Sequence, residues 1–348
     1  MESIVHSVTG QREPGFSGSS EEIKIVTVGV GGGGNNTINR LVRAGVKGTD
    51  LIAINTDQQH LNSISEKSKK VLIGKNLTRG LGAGGYPEVG AKAAEMDRQL
   101  IEDALAGSHL AFICAGMGGG TGTGASPVVA DIAKQQGAIT VAMVTYPFNL
   151  ERARRKKADE GISRLREICD SVIIVDNNRL VELVPNLPMN EAFSVADEVL
   201  AKAITGLVWT ITQPSLINID FADVRAIMGS GDVGFIAVGE GKGNDRVAGA
   251  AQSVLKNRLL DVNFEGAKGA LIHISGGSDL TLGDAIQAGE IITECMDPKA
   301  NIKWGARLVP GMDGSIEIVA IVTGVQGANV VGKPTLAKTP YPEIEVIG

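Results

Sequence analysis

Nine consecutive residues, Gly116, Met117, Gly118, Gly119, Gly120, Thr121, Gly122, Thr123 and Gly124, place bare backbone amides and two hydroxyls where a polyphosphate could sit. Glycine lets main-chain N–H groups approach an anion closely, and a following helix start adds partial positive charge. Thr121 and Thr123 can donate hydrogen bonds to phosphate oxygens. The flanks agree: residues 110–115 read as a short buried strand, and Ser126 before Pro127 reads as an N-cap with proline in the first helical position. A second glycine run, Gly31, Gly32, Gly33 and Gly34 followed by Asn35, lies between strand-like residues 23–30 and a helical segment from Thr37.

Gly29, Gly31 and Gly34 by themselves satisfy a dinucleotide fingerprint, with Asp57 after strand-like residues 51–55 as its ribose-binding acid. That reading, a dinucleotide-dependent oxidoreductase, leaves residues 116–124 without a task. One nucleotide held by two glycine loops uses both. Gly-Lys pairs begin at 74, 241 and 332 and are never followed by Ser or Thr, so a Walker A loop is absent and an ordinary P-loop NTPase is disfavoured.

Two loops can converge only if their strands share a sheet. Strand-like runs at 23–30, 51–55, 110–115, 139–145 and 172–175 alternate with helical ones, which predicts an α/β fold with a Rossmann-like, mostly parallel sheet. Ligands then bind beyond the carboxyl ends of the strands, where both glycine loops emerge. Residues 190–212 form a long helix with Phe193, Ala196, Leu200, Ile204, Leu207 and Ile211 at helical spacing. After Pro214 come strands at 234–239, 270–275, 303–309 and 315–322 and helices at 245–260 and 281–296, a smaller α+β unit. The expected organisation is a polar arm at 1–20, a nucleotide-binding domain at 21–189, a central helix at 190–213, an α+β domain at 214–325 and a short tail at 326–348.

Composition narrows the class. With 348 residues and 46 glycines the chain suits two units around a large core, and its net charge of −6 offers no broad footprint for nucleic acid. Cys114, Cys169 and Cys295, far apart and in apolar contexts, read as reduced core residues of a cytoplasmic protein. Four scattered histidines form no metal-ligand cluster, so no protein metal site is assigned. No run of eighteen apolar residues exists, which argues against direct membrane insertion.

The glycine run 118–124 matches the tubulin/FtsZ signature, and the chain resembles that family over roughly residues 22–325. Asn55-Thr56-Asp57, the segment from Gly82, Ala83, Gly84 and Gly85 to Gly90, Pro147 through Glu151, Phe193 with Asp197, and Asn218 through Asp223 all fit in order. Within the family the chain is similar to FtsZ, the prokaryotic division GTPase, and its short tail looks more archaeal than bacterial. The resemblance implies the tubulin/FtsZ fold, GTP and GDP as ligands, Mg²⁺ held mainly by phosphates and water, and head-to-tail self-assembly at a mid-cell division site. It also implies membrane-adaptor and division partners, although Tyr341 through Gly348 does not look like the bacterial docking peptide. By resemblance Phe193 stacks on guanine, Asp197 accepts from its N1–H and exocyclic amine, Asn177 meets another base edge, and Glu151 and Arg155 reach the ribose region. A carboxylate at 197 suits guanine's two adjacent donors and mismatches adenine.

Competing readings stand beside these. Phe193 fits the apolar stripe of its helix, and Asp197 fits a first-turn acid favoured by the dipole. The basic run 152–157 reads as a solvated helix face with an i,i+4 pair between Glu151 and Arg155. Asp220 suits a capping-box-like helix start. By resemblance Asn218, Asp220 and Asp223 position the attacking water, yet a helix rising about 1.5 Å per residue puts them roughly 25 Å from Asp197. They would therefore serve the nucleotide of the next subunit in a filament. A nucleotide-gated scaffold that polymerises poorly is the remaining alternative.

Overall fold

The computed structural model describes residues 23–179, 186–212, 215–217, 219–228, 234–256 and 264–325. The expected arm, the tail, Asn218 and the end of the 245–260 helix lie outside them.

In chain order the first unit runs β1 (Ile25–Val30), α1 (Gly31–Ala44), β2 (Asp50–Asn55), α2 (Gln58–Asn62), β3 (Lys69–Leu72), α3 (Lys75–Thr78), α4 (Pro87–Met96), α5 (Arg98–Leu105), β4 (Leu110–Gly116), α6 (Thr121–Gln135), β5 (Ile139–Tyr146), α7 (Arg152–Ile168) and β6 (Ser171–Asp176). The strands form one parallel sheet in the order β3-β2-β1-β4-β5-β6. β1, β4 and β5 are near-continuous buried runs because helices cover both faces. The strand order reverses between β1 and β4, the crevice where such sheets bind ligands. β3 escapes the sequence because Lys69-Lys-Val-Leu72 offers no apolar run. It is a four-residue edge strand whose lysines suit an edge.

The central helix α8 (Met189–Thr212) leads to α9 (Phe221–Met228) and then to β7 (Gly234–Lys242), α10 (Arg246–Leu255), β8 (Gly269–Gly276), α11 (Leu282–Thr293), β9 (Asn301–Leu308) and β10 (Ser315–Thr323). The second sheet has the order β7-β10-β8-β9, with β10 antiparallel to both neighbours and β8 parallel to β9. A capping box between Thr281 and Asp284 starts α11, the kind of signal readable in sequence.

Leu200, Ile204, Leu207 and Val208 of α8 share one buried cluster with Phe112 and Met143 of the first sheet and Leu271, Val319 and Ile321 of the second. The fit is close: a Cβ on Gly206 would sit 2.5 Å from a methyl of Val319. The helix thus welds the two sheets into one packed body. α8 also runs along the first sheet from the carboxyl ends of its strands towards their amino ends. Near its start, the Ser194 carbonyl accepts from Arg40 of α1 at 3.1 Å, while Thr212 at its end abuts Gly48 just before β2.

Three expectations need correction. Both glycine runs are helical sooner than the sequence suggests: α1 begins at Gly31 and α6 at Thr121, so Pro127 is the seventh residue of α6 rather than its first. Glycine has poor helix propensity, but here tertiary packing decides. Cys295 is exposed, unlike buried Cys114 and Cys169, because it lies just past the C-terminal end of α11. Glu151 pairs with Arg154 at 2.5 Å rather than with Arg155, whose guanidinium lies over the Tyr146 ring at 5.7 Å.

Candidate nucleotide site

The glycines of the two loops divide into two groups by what a side chain would strike. A Cβ on Gly34 would lie 2.1 Å from the Cys114 carbonyl, and on Gly124 1.8 Å from that of Pro87. Gly31 presses on Gly122 N, Gly122 on Gly116 O and Gly120 on Ala83 in the same way. These contacts clamp α1 and α4 against the β4–α6 turn. Gly119 and Gly85, by contrast, have nothing within 4 Å, and Gly32 meets only the His60 ring at 3.9 Å. The space above them is open.

That space is a cleft of about 1020 Å³ at the carboxyl ends of β1, β4 and β5. Of the residues singled out from sequence, Gly32, Gly33, Asn55, Asp57, Gly82, Gly85, Gly116, Met117, Gly119, Gly120, Thr121, Gly122, Pro147, Glu151 and Asn177 line it. A second cavity of about 530 Å³ adjoins it, sharing Gly33, Thr145 and Asn177 and walled further by Asp197 and α1. Gly31, Gly34, Asn35, Ala83, Gly84, Gly118, Thr123, Gly124 and Arg155 stand outside both linings. The Phe193 side chain and Asn218 are outside the described atoms.

The phosphate-loop geometry follows from a few hydrogen bonds. Met117 N donates to Thr145 O at 2.9 Å and Gly118 N to Thr123 Oγ1 at 2.8 Å, while the Thr121 and Thr56 hydroxyls meet at 2.6 Å. Both threonines therefore brace the turn. The first intrahelical bond runs from Gly124 N to Gly120 O. The amides from Gly119 to Thr123 precede it, so they are the donors a helix start leaves for an anion.

The smaller cavity is polar in a directed way. Asn177 Oδ1 is buried at the seam between the two spaces with no hydrogen-bond partner among the described residues, a polar atom that buried positions seldom leave unpaired. Burial pushes the Asp197 carboxyl up to about 6, opposed by the Arg40 guanidinium. Arg40 is itself fixed by Ser194 O and by Glu198 at 3.6 Å. Asn36, Arg40 and Arg43 all line this cavity, and sequence reading missed them. Their i, i+4, i+7 spacing puts them on one face of α1, a signal visible once that helix is known to start at Gly31. Arg154, His60 and Asn178, also missed, line the larger cleft.

The acids expected to catalyse are elsewhere. Phe221 of α9 packs edge-on against His109 at 6.3 Å, and His109 immediately precedes β4. β4 spans about 20 Å at roughly 3.3 Å per residue. Asp220 and Asp223 thus sit beyond the amino ends of the strands, opposite the carboxyl ends where Gly116 lies. Asp220 Oδ1 accepts from Asp223 N at 2.8 Å, capping α9, and Asp223 Oδ1 pairs with Lys303 at 2.8 Å.

A family model described as the tubulin/FtsZ family, GTPase domain, matches residues 24–185, and one described as the FtsZ family, C-terminal domain, matches residues 232–326. This chain belongs to the tubulin/FtsZ family. It is 59% identical over 326 residues to cell division protein FtsZ 2 of Methanocaldococcus jannaschii, covering 93% of this chain and 86% of that protein. It is 48% identical over 315 residues to FtsZ 1 of Archaeoglobus fulgidus, covering 90% and 85%. The FtsZ dimer structure of M. jannaschii superposes with a TM-score of 0.82 at 44% identity, covering 93% of this chain and 92% of that one. The tubulin/FtsZ chain is accordingly a GTPase that binds GTP and GDP. The oxidoreductase reading falls, because the GTPase domain accounts for both glycine loops at once. The non-polymerising scaffold finds no support either.

Proposed function

We propose that this chain is a cell-division GTPase that assembles head to tail and hydrolyses GTP between subunits. The guanine occupies the smaller cavity against Asp197 and Asn177, with Phe193 stacking on it. The triphosphate occupies the larger cleft on the amides of the β4–α6 turn. The observation that carries the reading is the separation just described: phosphate donors at the carboxyl ends of the strands, Asp220 and Asp223 at the amino ends. A subunit that cannot bring its acids to its own nucleotide can bring them to its neighbour's, and such a heterologous contact propagates as an open filament.

The chemistry is in-line attack of water on the γ-phosphate, releasing GDP and phosphate. Fixed loop amides meet the charge that develops on the phosphoryl oxygens, and Asp220, Asp223 and Asn218 of the incoming subunit orient the water. Among the described residues no cluster of three or more His, Cys, Asp or Glu could hold a metal. In this reading Mg²⁺ is carried in by the triphosphate, and Asp57 and Glu151 are the carboxylates on the cleft wall that could serve it. Mg²⁺ held that way neutralises phosphate charge.

Exposed leucines support the assembly. Leu150 and Leu81, 91% and 81% exposed, stand beside the cleft, and Leu216, 68% exposed, stands beside the acids. Large apolar groups at both ends suit burial against a second copy. No helix among the described residues is long and apolar enough to cross a membrane. In this reading adaptor proteins recruit the polymer to a mid-cell ring. The decisive experiment is phosphate release across a protein dilution series. The wild-type rate per subunit falls on dilution, and Asp223→Ala binds GTP without turning it over. Full turnover by that variant, or a rate indifferent to dilution, sinks the reading.

A further inference from the structure

Sequence reading passed over the basic group that the fold sets beside the candidate acids. Lys303 of β9 reaches Asp223 Oδ1 at 2.8 Å, leaving the other carboxylate oxygen available. The same strand also holds the two residues Leu216 and Ile217 of the loop before the acids. Leu216 N and Ile217 N donate to Ala306 O at 2.8 and 3.3 Å, and Ala306 N donates to Ile217 O at 3.3 Å. A Cβ on Gly305 would strike Ile217 O at 2.7 Å, so loop and strand backbones lie in direct contact. Asp220 Oδ1 fixes the Asp223 amide from the other side. The carboxylate is held at its backbone by the cap and at its head by the ammonium.

We propose that Lys303 is a positioning residue of the shared reaction centre, aiming the Asp223 carboxylate and offsetting the repulsion that two carboxylates meet as they approach a triphosphate. This rests on the reading that Asp223 acts on the neighbouring subunit's GTP. Fold stability does not explain the pair. The two side chains are 41% and 26% exposed, and ion pairs at such exposure add little to stability. Asp223 and, further off, Asp220 hold the Lys303 amine above its ordinary basicity, so it stays charged at any pH of assembly. A lysine on an edge strand also deters stray strand pairing. Loss of that role alone would show as aggregation rather than as a fall in kcat of the assembled protein.

The test compares Lys303→Met, Lys303→Arg and Asp223→Asn with wild type in the full chain, after thermal unfolding has established that each folds. Three quantities are read: affinity for GTP, assembly on a non-hydrolysable GTP analogue, and phosphate release per assembled subunit. For Lys303→Met the expected result is a fall in kcat of roughly 10- to 100-fold, the scale of a misplaced reacting group. Its GTP affinity and assembly on the analogue stay near wild type. Lys303→Arg, which keeps the charge and reach, recovers most of the lost rate. Wild-type kcat in Lys303→Met overturns the proposal, and so does a loss confined to assembly or an Lys303→Arg rate no better than that of Lys303→Met. Asp223→Asn separates the two levels. If it turns GTP over normally, the shared-centre reading itself fails; if it is inactive while Lys303→Met is fully active, that reading survives and the role of Lys303 does not.

Discussion

Two glycines in the same site have opposite reasons to be glycine, and paired alanine substitutions separate them. At Gly119 a new methyl would meet no described atom beyond its chain neighbours within 4 Å, and its backbone is not in the left-handed region. The ligand-free protein should therefore shift by no more than about 0.5 kcal/mol. The methyl would occupy space where a phosphate must come within hydrogen-bonding distance of the loop amides. A loss of about 1.4–2.7 kcal/mol, roughly 10- to 100-fold in GTP affinity, is expected. At Gly34 the methyl would land 2.1 Å from the Cys114 carbonyl and 3.0 Å from the Gly29 carbonyl carbon, both backbone atoms that cannot swing away. Prising α1 off β1 and β4 should cost roughly 3 kcal/mol, the upper range for overpacking. At about 2–4 °C per kcal/mol, that lowers Tm by roughly 6–12 °C. Thermal unfolding without nucleotide, together with titration of a fluorescent GDP analogue, reads both. Tight nucleotide binding by Gly119→Ala, or an unchanged Tm for Gly34→Ala, would refute the division into ligand-facing and packing glycines.

Other expectations follow from the same geometry. Because burial lifts the Asp197 carboxyl to about 6, the ligand-free fold holds that proton more tightly than the unfolded chain. Its contribution to stability is present below the ordinary Asp range and is lost as pH rises through about 6. GTP affinity should run the other way, since guanine's two donors need the carboxylate: it weakens as pH drops below about 6, by up to about tenfold per pH unit. Calorimetric titration of GTP across that range checks this, and Asp197→Asn should bind weakly with a flat profile; an unaltered profile in that variant would remove Asp197 from the base site. Cys295 is exposed, whereas Cys114 and Cys169 are buried thiols pushed up to about 12. A thiol reagent should therefore modify one cysteine per native chain and three after unfolding; prompt native labelling of Cys114 would contradict the packing of β4.

Much of this protein was legible because its signals are local. The buried runs of β1, β4 and β5 and the two glycine loops each declare themselves within ten residues, and the strand alternation implies where the loops emerge. What went astray depended on neighbours distant in sequence. α1 and α6 begin at Gly31 and Thr121 because Cys114, Pro87 and Gly116 press on those glycines, a fact no propensity contains. β3 exists because β2 offers it hydrogen bonds, and Cys295 lies in an apolar stretch of sequence whose position beyond α11 leaves it uncovered. Arg154 rather than Arg155 faces the cleft because Tyr146 claims the latter.

The sequence by itself determined the chemistry at hand: anion-binding amides, a carboxylate suited to guanine, and a second set of acids a helix-length away. Tertiary structure decided which of these groups meet. It joined two cavities through Asn177, brought Arg40 of α1 onto α8, and placed Lys303 against Asp223 from a strand eighty residues downstream. It also carried Asp220 and Asp223 to the amino ends of the strands. Local propensity acts over one or two turns of chain, whereas the meeting of such groups is set by how α8 packs between two sheets, a balance struck by the whole core at once.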